Sequence, residues 1–426
     1  MGYADVGADV FIALGVVVVV AGVMAPFALA VAATAYVAVC LAYAELSFKY
    51  PHAGGASYFA KKAFGSLHGF LAGWFLTFAY VTDISLFALT SAAYFQKLLV
   101  SLGLGWIDTV QYLGIITSVL ILFLLAINYV GIKESSRLNE VFTALGLVTL
   151  SALIVVGVFA VWEAFKLGIS WMNVWSVDPY TFFYATALSF CSFIGVSSIA
   201  QAAEEAKEVG KIVKAFIITG LAVVGIAEGL LISMALSIPA QSISENVHRA
   251  LFLLAEKAPF VGKWLSYWVC FSAFTICLVS ANTGVIGASR VLYGMRREGL
   301  APYFLGKVHK KRKTPYIAII LFSVIAIAIV LLNTLGGILD LEAMIAIYNF
   351  GALLTHAYVM LSHIALREEG ASWKSPVSVR LGDREIPLTS VIGLVLCALI
   401  IAALFSRKII GLAYGLTWTA AGLFLY

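Results

Sequence analysis

The stretch PYTFFYATALSFCSFIGVSSIAQAA, residues 179–203, contains the fold in outline. No charge interrupts it, and as a helix rising about 1.5 Å per residue it spans the roughly 30 Å hydrocarbon core of a bilayer. Its centre is poor helix. Ser189-Phe190-Cys191-Ser192-Phe193-Ile194-Gly195-Val196-Ser197-Ser198 mixes hydroxyls that compete for backbone bonds with aromatic and β-branched side chains and a glycine. A membrane-crossing segment that resists helix at its midpoint reads in two ways. Gly195 lets a neighbouring helix approach closely, or the backbone opens to hold a cargo. Pattern alone leaves both open.

Working outward, uncharged or nearly uncharged apolar runs occupy 10–44, 64–96, 109–132, 141–162, 215–244, 264–289, 314–339, 343–366, 386–406 and 409–426. The first is broken by Gly22 and Pro26 into a short and a full helix, Asp83 interrupts 64–96, and Glu228 interrupts 215–244. This makes eleven full spans plus a short leading one. Of 426 residues 62% are hydrophobic and 12% charged. Soluble domains carry about 25% charged residues, so a soluble globular protein is excluded, and so is a disordered one. The alternation of a β-barrel is absent, which leaves helices to satisfy the backbone in lipid.

The net charge of +5 is informative only by position. If the leading segment runs from inside to outside, 20 of the 27 Lys and Arg fall in cytoplasmic loops and 7 in outer ones. The run Lys307–Lys313 then marks the cytoplasmic face and touches anionic headgroups, with no role for nucleic acid. The expected location is the inner (cytoplasmic) membrane, multi-pass, with basic loops inside. Cys40, Cys191, Cys270, Cys277 and Cys397 all sit in apolar runs without CxxC or Cys/His spacing, and read as small packing residues rather than metal ligands. No GxxxxGK[ST], HExxH or GxSxG occurs, so no enzyme, cofactor or nucleotide-driven pump is expected.

Ionisable groups inside apolar spans face a cavity or a partner, because lipid solvates them badly. The candidates are Asp5, Asp9, Asp83, Glu228 and His356. Glu228 is expected to pack against His356 or a hydroxyl, and His356 to be a satisfied core histidine. Glu45, Glu204 and Glu205 fall at cytoplasmic helix ends, where water makes them less telling. The opening Gly2-Tyr3-Ala4-Asp5-Val6-Gly7-Ala8-Asp9-Val10-Phe11 is also poor helix, in the corresponding place of the other half. Paired interruptions of this kind point to inverted repeats around a midplane site.

Several motifs in order resemble the amino acid–polyamine–organocation (APC) superfamily. They are Val6-Gly7-Ala8-Asp9-Val10-Phe11, Ala42-Tyr43-Ala44-Glu45-Leu46 with Pro51-His52-Ala53-Gly54-Gly55, and Asn128-Tyr129-Val130-Gly131-Ile132-Lys133-Glu134-Ser135. Phe193-Ile194-Gly195 with Ala203-Glu204-Glu205, and Ser289-Arg290-Val291-Leu292-Tyr293-Gly294-Met295-Arg296-Arg297-Glu298-Gly299, continue the series. The resemblance implies an all-α polytopic fold of the leucine-transporter type. Its five-plus-five inverted repeat would occupy 1–162 and 179–366, joined by an outer loop at 163–178. A cytoplasmic loop, 367–385, and two extra helices, 386–426, would follow. Met1 falls where the inner half of helix 1 should already have ended, so the first half-helix is expected to be missing.

The resemblance also implies that helices 1 and 6 unwind at mid-membrane. Substrate would then meet Gly7, Ala8, Asp9, Phe193, Ile194, Gly195, Val196 and Ser197, with Asp83, Ser85 and Ala88 facing it from helix 3. Asp5, Asp83, Ser280 and Thr283 are the coupling candidates. Asp9 stands where the family carries glycine and is either an N-cap or part of an acidic cation site. The lysine that some members use in place of sodium falls at Gly146 and is absent. The implied activity is secondary-active transport of amino acids or related amines, coupled to H+ or Na+ or by exchange. Three aspartates close together also fit an inorganic-cation carrier, for example for potassium. A missing half-helix would fit a sensor or remnant that binds without transport.

Overall fold

The computed structural model describes the chain except residues 1, 53, 132, 167–176, 202–203, 205–208, 338, 368–372 and 383. For 2–7, 133–138 and 209 it describes the backbone alone. The side chain of Asp5 and the surroundings of Gly7 therefore lie outside the described residues, as do Ala203 and Glu205.

The long elements are apolar helices: α1 (Gly2–Ala21), α2 (Ala25–Lys49), α3 (Ser66–Ser101), α4 (Val110–Val130), α5 (Lys133–Lys166) and α6a (Pro179–Ser189) with α6b (Ser197–Gln201). They continue with α7 (Val209–Ser237), α8 (Gly262–Arg297), α9 (Tyr316–Thr334), α10 (Leu341–Leu366), α11 (Leu388–Arg407) and α12 (Ile409–Leu425). Among the described residues ten apolar segments are long enough to cross a bilayer, the first being Ala8–Lys49, and α12 is a shorter apolar helix. The protein is thus an all-α, multi-pass membrane protein. The expected break between the first two helices is a 3-10 turn, Gly22–Met24, where Gly22 takes φ +54° and Pro26 opens α2.

Burial sorts the helices. The apolar windows of α3, α6, α8 and α10 are 78–94% buried, whereas those of α4, α5, α7, α9 and α11 are 22–39% buried. The first set is the protein's core and the second presents side chains to lipid. α3 and α8 pack against each other, α10 lies against α3, and α1 packs on α8, α6a and the turn that follows it. Gly146, the place of the missing lysine, sits against Ile276 of α8, so a lysine there would have to displace a helix contact. All five cysteines are free and buried.

Two expectations are corrected here. The leading helix is not short: α1 has 20 residues and runs unbroken through Gly7, Ala8 and Asp9. The propensity penalty of its glycines and aspartates is about 1 kcal/mol or less each. Burial of Ala8, Val10, Phe11, Ile12, Ala13 and Leu14 outweighs it at about 25 cal/mol per Å². Asp9 is therefore interior to a helix and not an N-cap.

The segment 367–385 is also more than a loop. Strands β1 (Ser378–Leu381) and β2 (Arg384–Pro387) form an antiparallel hairpin with Val379 opposite Ile386 and Arg380 opposite Glu385. β2 ends at Pro387, so α11 starts two residues later than the apolar run suggests. Glu385 anchors the hairpin. It bonds Lys374 and Ser378, and Arg367 at 2.9 Å. Lys374, then Ser378 and Arg367, pull its carboxyl down to about 2. The depressed value means the stabilisation is complete above the usual glutamate range near 4 and is lost as pH falls towards 2. Hydrogen exchange across 378–387 should accelerate between about pH 4 and pH 2 in the wild type and already be fast at pH 5 in Glu385→Gln.

Candidate functional site

α6 breaks where its sequence is poor helix. The α-helical ladder ends at Ser189, Phe190–Phe193 forms a 3-10 turn, Ile194 is extended (φ −80°, ψ 157°), and Gly195 takes φ +107°. That backbone angle excludes ordinary L side chains at low energy. The chain restarts as helix by capping itself: Ser198 N and Oγ both donate to Gly195 O, at 3.0 and 2.7 Å. Asn349 of α10 donates to Ala187 O at 2.8 Å, serving a carbonyl near the end of α6a. Gly195→Ala should lower unfolding free energy by about 1–3 kcal/mol, the usual cost of a strained backbone residue. Chemical unfolding of the purified protein measures this, and an unchanged midpoint would mean the positive φ is not held.

Asp83 faces this break from α3. It is 1% exposed, and Tyr348 Oη of α10 donates to its Oδ1 at 3.0 Å. Its Oδ2 lies against Gly284 of α8, where an added Cβ would overlap it. Asp9, fully buried on α1, and Asp83 both lie within electrostatic reach of the Cys191 sulfur in the 3-10 turn. Asp9 also reaches Tyr36 of α2 and Cys277 of α8. Helical spacing puts Cys277, Ser280 and Gly284 on one face of α8, so buried Ser280 falls between the parts of α8 nearest Asp9 and Asp83. Thr283 is buried, and its hydroxyl bonds Val279 O in its own helix at 3.1 Å.

Ser197 shares the region. Tyr80 Oη, one turn before Asp83, is 3.0 Å from Ser197 Oγ and accepts from Gln201 Nε2 at 2.7 Å. Phe193 stacks on Tyr36, ring centres 4.9 Å apart. Phe193, Ile194, Val196 and Ser197 are all buried. Tyr80 of α3 thus bonds Ser197 at the α6 break, and Asp9 and Asp83 lie within electrostatic reach of Cys191 in its 3-10 turn. Ser85 does not join them, because its hydroxyl bonds Val81 O and Ala326 O of α9. Ala8 is buried inside the unbroken α1, where the helical ladder occupies backbone amides that the unwound arrangement would free.

Sequence reading missed Tyr80, Gln201, Tyr348 and Asn349. The adjacent pair Tyr348-Asn349 inside the apolar run 343–366 was the available signal for the last two. His356 is buried between the rings of Tyr43 and Phe190, centroids 5.8 and 6.0 Å away, and neither ring nitrogen has a hydrogen-bond partner among the described residues. It is a core histidine without the polar satisfaction expected of it, and Glu228 does not serve it.

The largest correction concerns Glu45, which is 4% exposed rather than solvated. Its Oε2 lies 2.9 Å from His363 Nε2 and 3.3 Å from Arg367, and accepts from Ser375 N at 2.7 Å. Nearby, His52 and Lys61 pair with Glu298 at 3.3 and 2.8 Å, and Arg297 pairs with Glu204 at 3.1 Å. Lys61 chiefly, by its hydrogen bond, holds the Glu298 carboxyl below its ordinary range.

A helix break buried among core helices, with a carboxyl beside it, is a place to hold a small polar solute inside a membrane. The family model described as amino acid permease matches residues 3–424. This chain belongs to that family. The APC permeases are transporters, not enzymes. It is 27% identical over 379 residues to the branched-chain amino acid permease of Bacillus subtilis (strain 168), covering 86% of this chain and 78% of the other. The low-affinity putrescine importer of Escherichia coli (strain K12) is 30% identical over 353 residues, 80% and 73% of the two chains. The methylthioribose transporter of B. subtilis is 25% identical over 437 residues, 99% and 89% of the two. The permease's motifs at Phe193-Ile194-Gly195 and Ala42–Leu46 thus fall at the α6 break and at the buried Glu45.

Proposed function

We propose that this permease is a secondary-active carrier of amino acids or related amines across the cytoplasmic membrane. It works by alternating access, with 1–162 and 179–366 as inverted repeats and its basic loops in the cytoplasm. The observation that carries the reading is the broken α6 beside buried Asp83. A backbone interrupted in mid-membrane offers carbonyl dipoles, and a buried carboxylate favours positive charge. Both suit the ammonium group common to amino acids and polyamines. The curated relatives, named as carriers of branched-chain amino acids and putrescine, support the same chemistry. Coupling runs through H+ or Na+, or by exchange, with Asp83 and Ser280 as the candidate groups.

The continuous α1, and two buried aspartates, Asp9 and Asp83, each within electrostatic reach of Cys191, favour one competing reading, an inorganic-cation carrier. Uptake into proteoliposomes separates the two. Labelled leucine or putrescine should accumulate, and each should raise the unfolding temperature of the detergent-solubilised protein. Protection by potassium, with none from any amino acid or amine, would overturn the organic-substrate reading.

A further inference from the structure

Glu228 lies outside everything described above. It sits on α7 nine residues before Ser237, roughly 14 Å from the outer end of the helix at the usual rise. Its Oε1 is buried and accepts no hydrogen bond among the described residues. It faces a groove of about 600 Å³ between α2, α7 and α11, lined on α2 by Ala30, Ala33, Thr34 and Ala38. Thr389 of α11 lines the same groove, and its Oγ1 is likewise buried without a partner. Thr34 spends its hydroxyl proton on Ala30 O at 3.1 Å, which leaves its oxygen free only to accept.

A carboxyl oxygen buried at this depth needs a donor, and no side chain among the described residues supplies one to Oε1. Apart from Glu228, Thr34 and Thr389 the groove is walled by hydrocarbon: alanines with Val37 and Leu41 on α2, Val224 and Ile232 on α7, and Ile392 on α11. Glu228 Oε1 is an acceptor without a donor, the Thr389 hydroxyl can either accept or donate, and the lining includes no basic side chain. The complement of such a site is an apolar chain with a hydrogen-bond-donating head.

We infer that the α2–α7–α11 groove binds a membrane-dissolved amphiphile whose ammonium or hydroxyl head donates to Glu228. Its chain lies along the alanine face of α2. Because the groove joins α2 and α7 to α11, the occupant bridges helices that the rest of the fold holds together only through side-chain packing. This does not depend on what the permease carries.

The test uses the full chain in phosphatidylcholine nanodiscs and three diazirine-bearing hexadecyl probes: the amine, the alcohol, and the methyl ether, which has no donor. The amine or alcohol should label groove residues of α2 and α7 about fivefold more than the ether, the factor expected for one net hydrogen bond. Glu228→Leu should reduce labelling to the ether level. Ala30→Trp should block it with the carboxyl intact, so a folding defect in the first variant cannot decide the result. A higher yield from the amine than the alcohol, or the reverse, identifies the head and supports the site either way. Equal labelling by the ether, insensitivity to both variants, or a co-purifying transmembrane helix that excludes all three probes would overturn it.

Discussion

Asp83→Asn is expected to reduce uptake about 100-fold or more while the protein still purifies as a folded, monodisperse species. Asparagine keeps an oxygen for Tyr348 to donate to and keeps the volume beside Gly284, so the contacts of α3 with α8 and α10 survive. What it removes is the charge. A charged hydrogen bond contributes about 1.5–3 kcal/mol, and each 1.4 kcal/mol is a factor of ten, so losing the anchor for a substrate cation costs one to two decades from that bond alone. A further loss is expected if the same carboxyl moves a proton or binds the coupling ion. Tyr348→Phe separates positioning from the carboxyl itself: it should cost about tenfold, because Asp83 is retained but loses the group that orients it. Initial-rate uptake in proteoliposomes measures both. Wild-type uptake by the Asp83→Asn protein removes Asp83 from the mechanism.

The largest loss of stability should follow Arg367→Ala. Arg367 lies just past the end of α10 with its side chain 1% exposed, between Glu45 of α2 and Glu385 of the hairpin. Removing one member of a buried ionic cluster leaves its partners charged and unsolvated, which typically costs about 3–5 kcal/mol. Here two carboxylates lose their shared guanidinium, and Glu45 keeps His363 Nε2 at 2.9 Å while Glu385 keeps Lys374. The double variant Glu45→Gln/Arg367→Met should recover most of the loss, because it removes the charges together rather than stranding them. Denaturant unfolding in detergent checks both. A change below about 1 kcal/mol in the single variant would mean that water reaches the cluster and screens it.

Glu45 shows where reading a chain in one dimension fails. Four residues from the end of an apolar helix, it looks solvated. The side chains that bury it come from His363, Arg367 and Ser375, more than 300 positions away, and from a hairpin that the charged, polar composition of 367–385 did not announce. Asp83 is the reverse case. Its place in mid-span marks it as important without any partner being known, since lipid offers no solvent to a carboxylate. That its partner is Tyr348, and that Ser85 two residues on turns away to α9, follows from which helices touch α3.

The two suspected helix breaks make the same distinction. Both stretches are rich in residues that weaken helix, and the weakening is real in both. Around Gly195 the backbone gives way, helped by Asn349 taking a carbonyl near the end of α6a and by Ser198 capping the restart. Around Gly7 it does not. Propensity differences of under 1 kcal/mol per residue are smaller than the burial that follows at Ala8–Leu14, so neighbours choose the outcome.

By itself the sequence determined that this protein lives in a membrane, where most of its apolar stretches lie, and that α6 is weak at its centre. Those properties are local: in lipid each backbone group must be satisfied within its own segment, so length and composition suffice. Only the tertiary structure decided that α1 stays whole, that Asp83 meets Tyr348, and that Glu45 is buried among cations. A polar group's fate in a low-dielectric interior depends on what stands within a few ångströms of it, and residues hundreds of positions apart supply that.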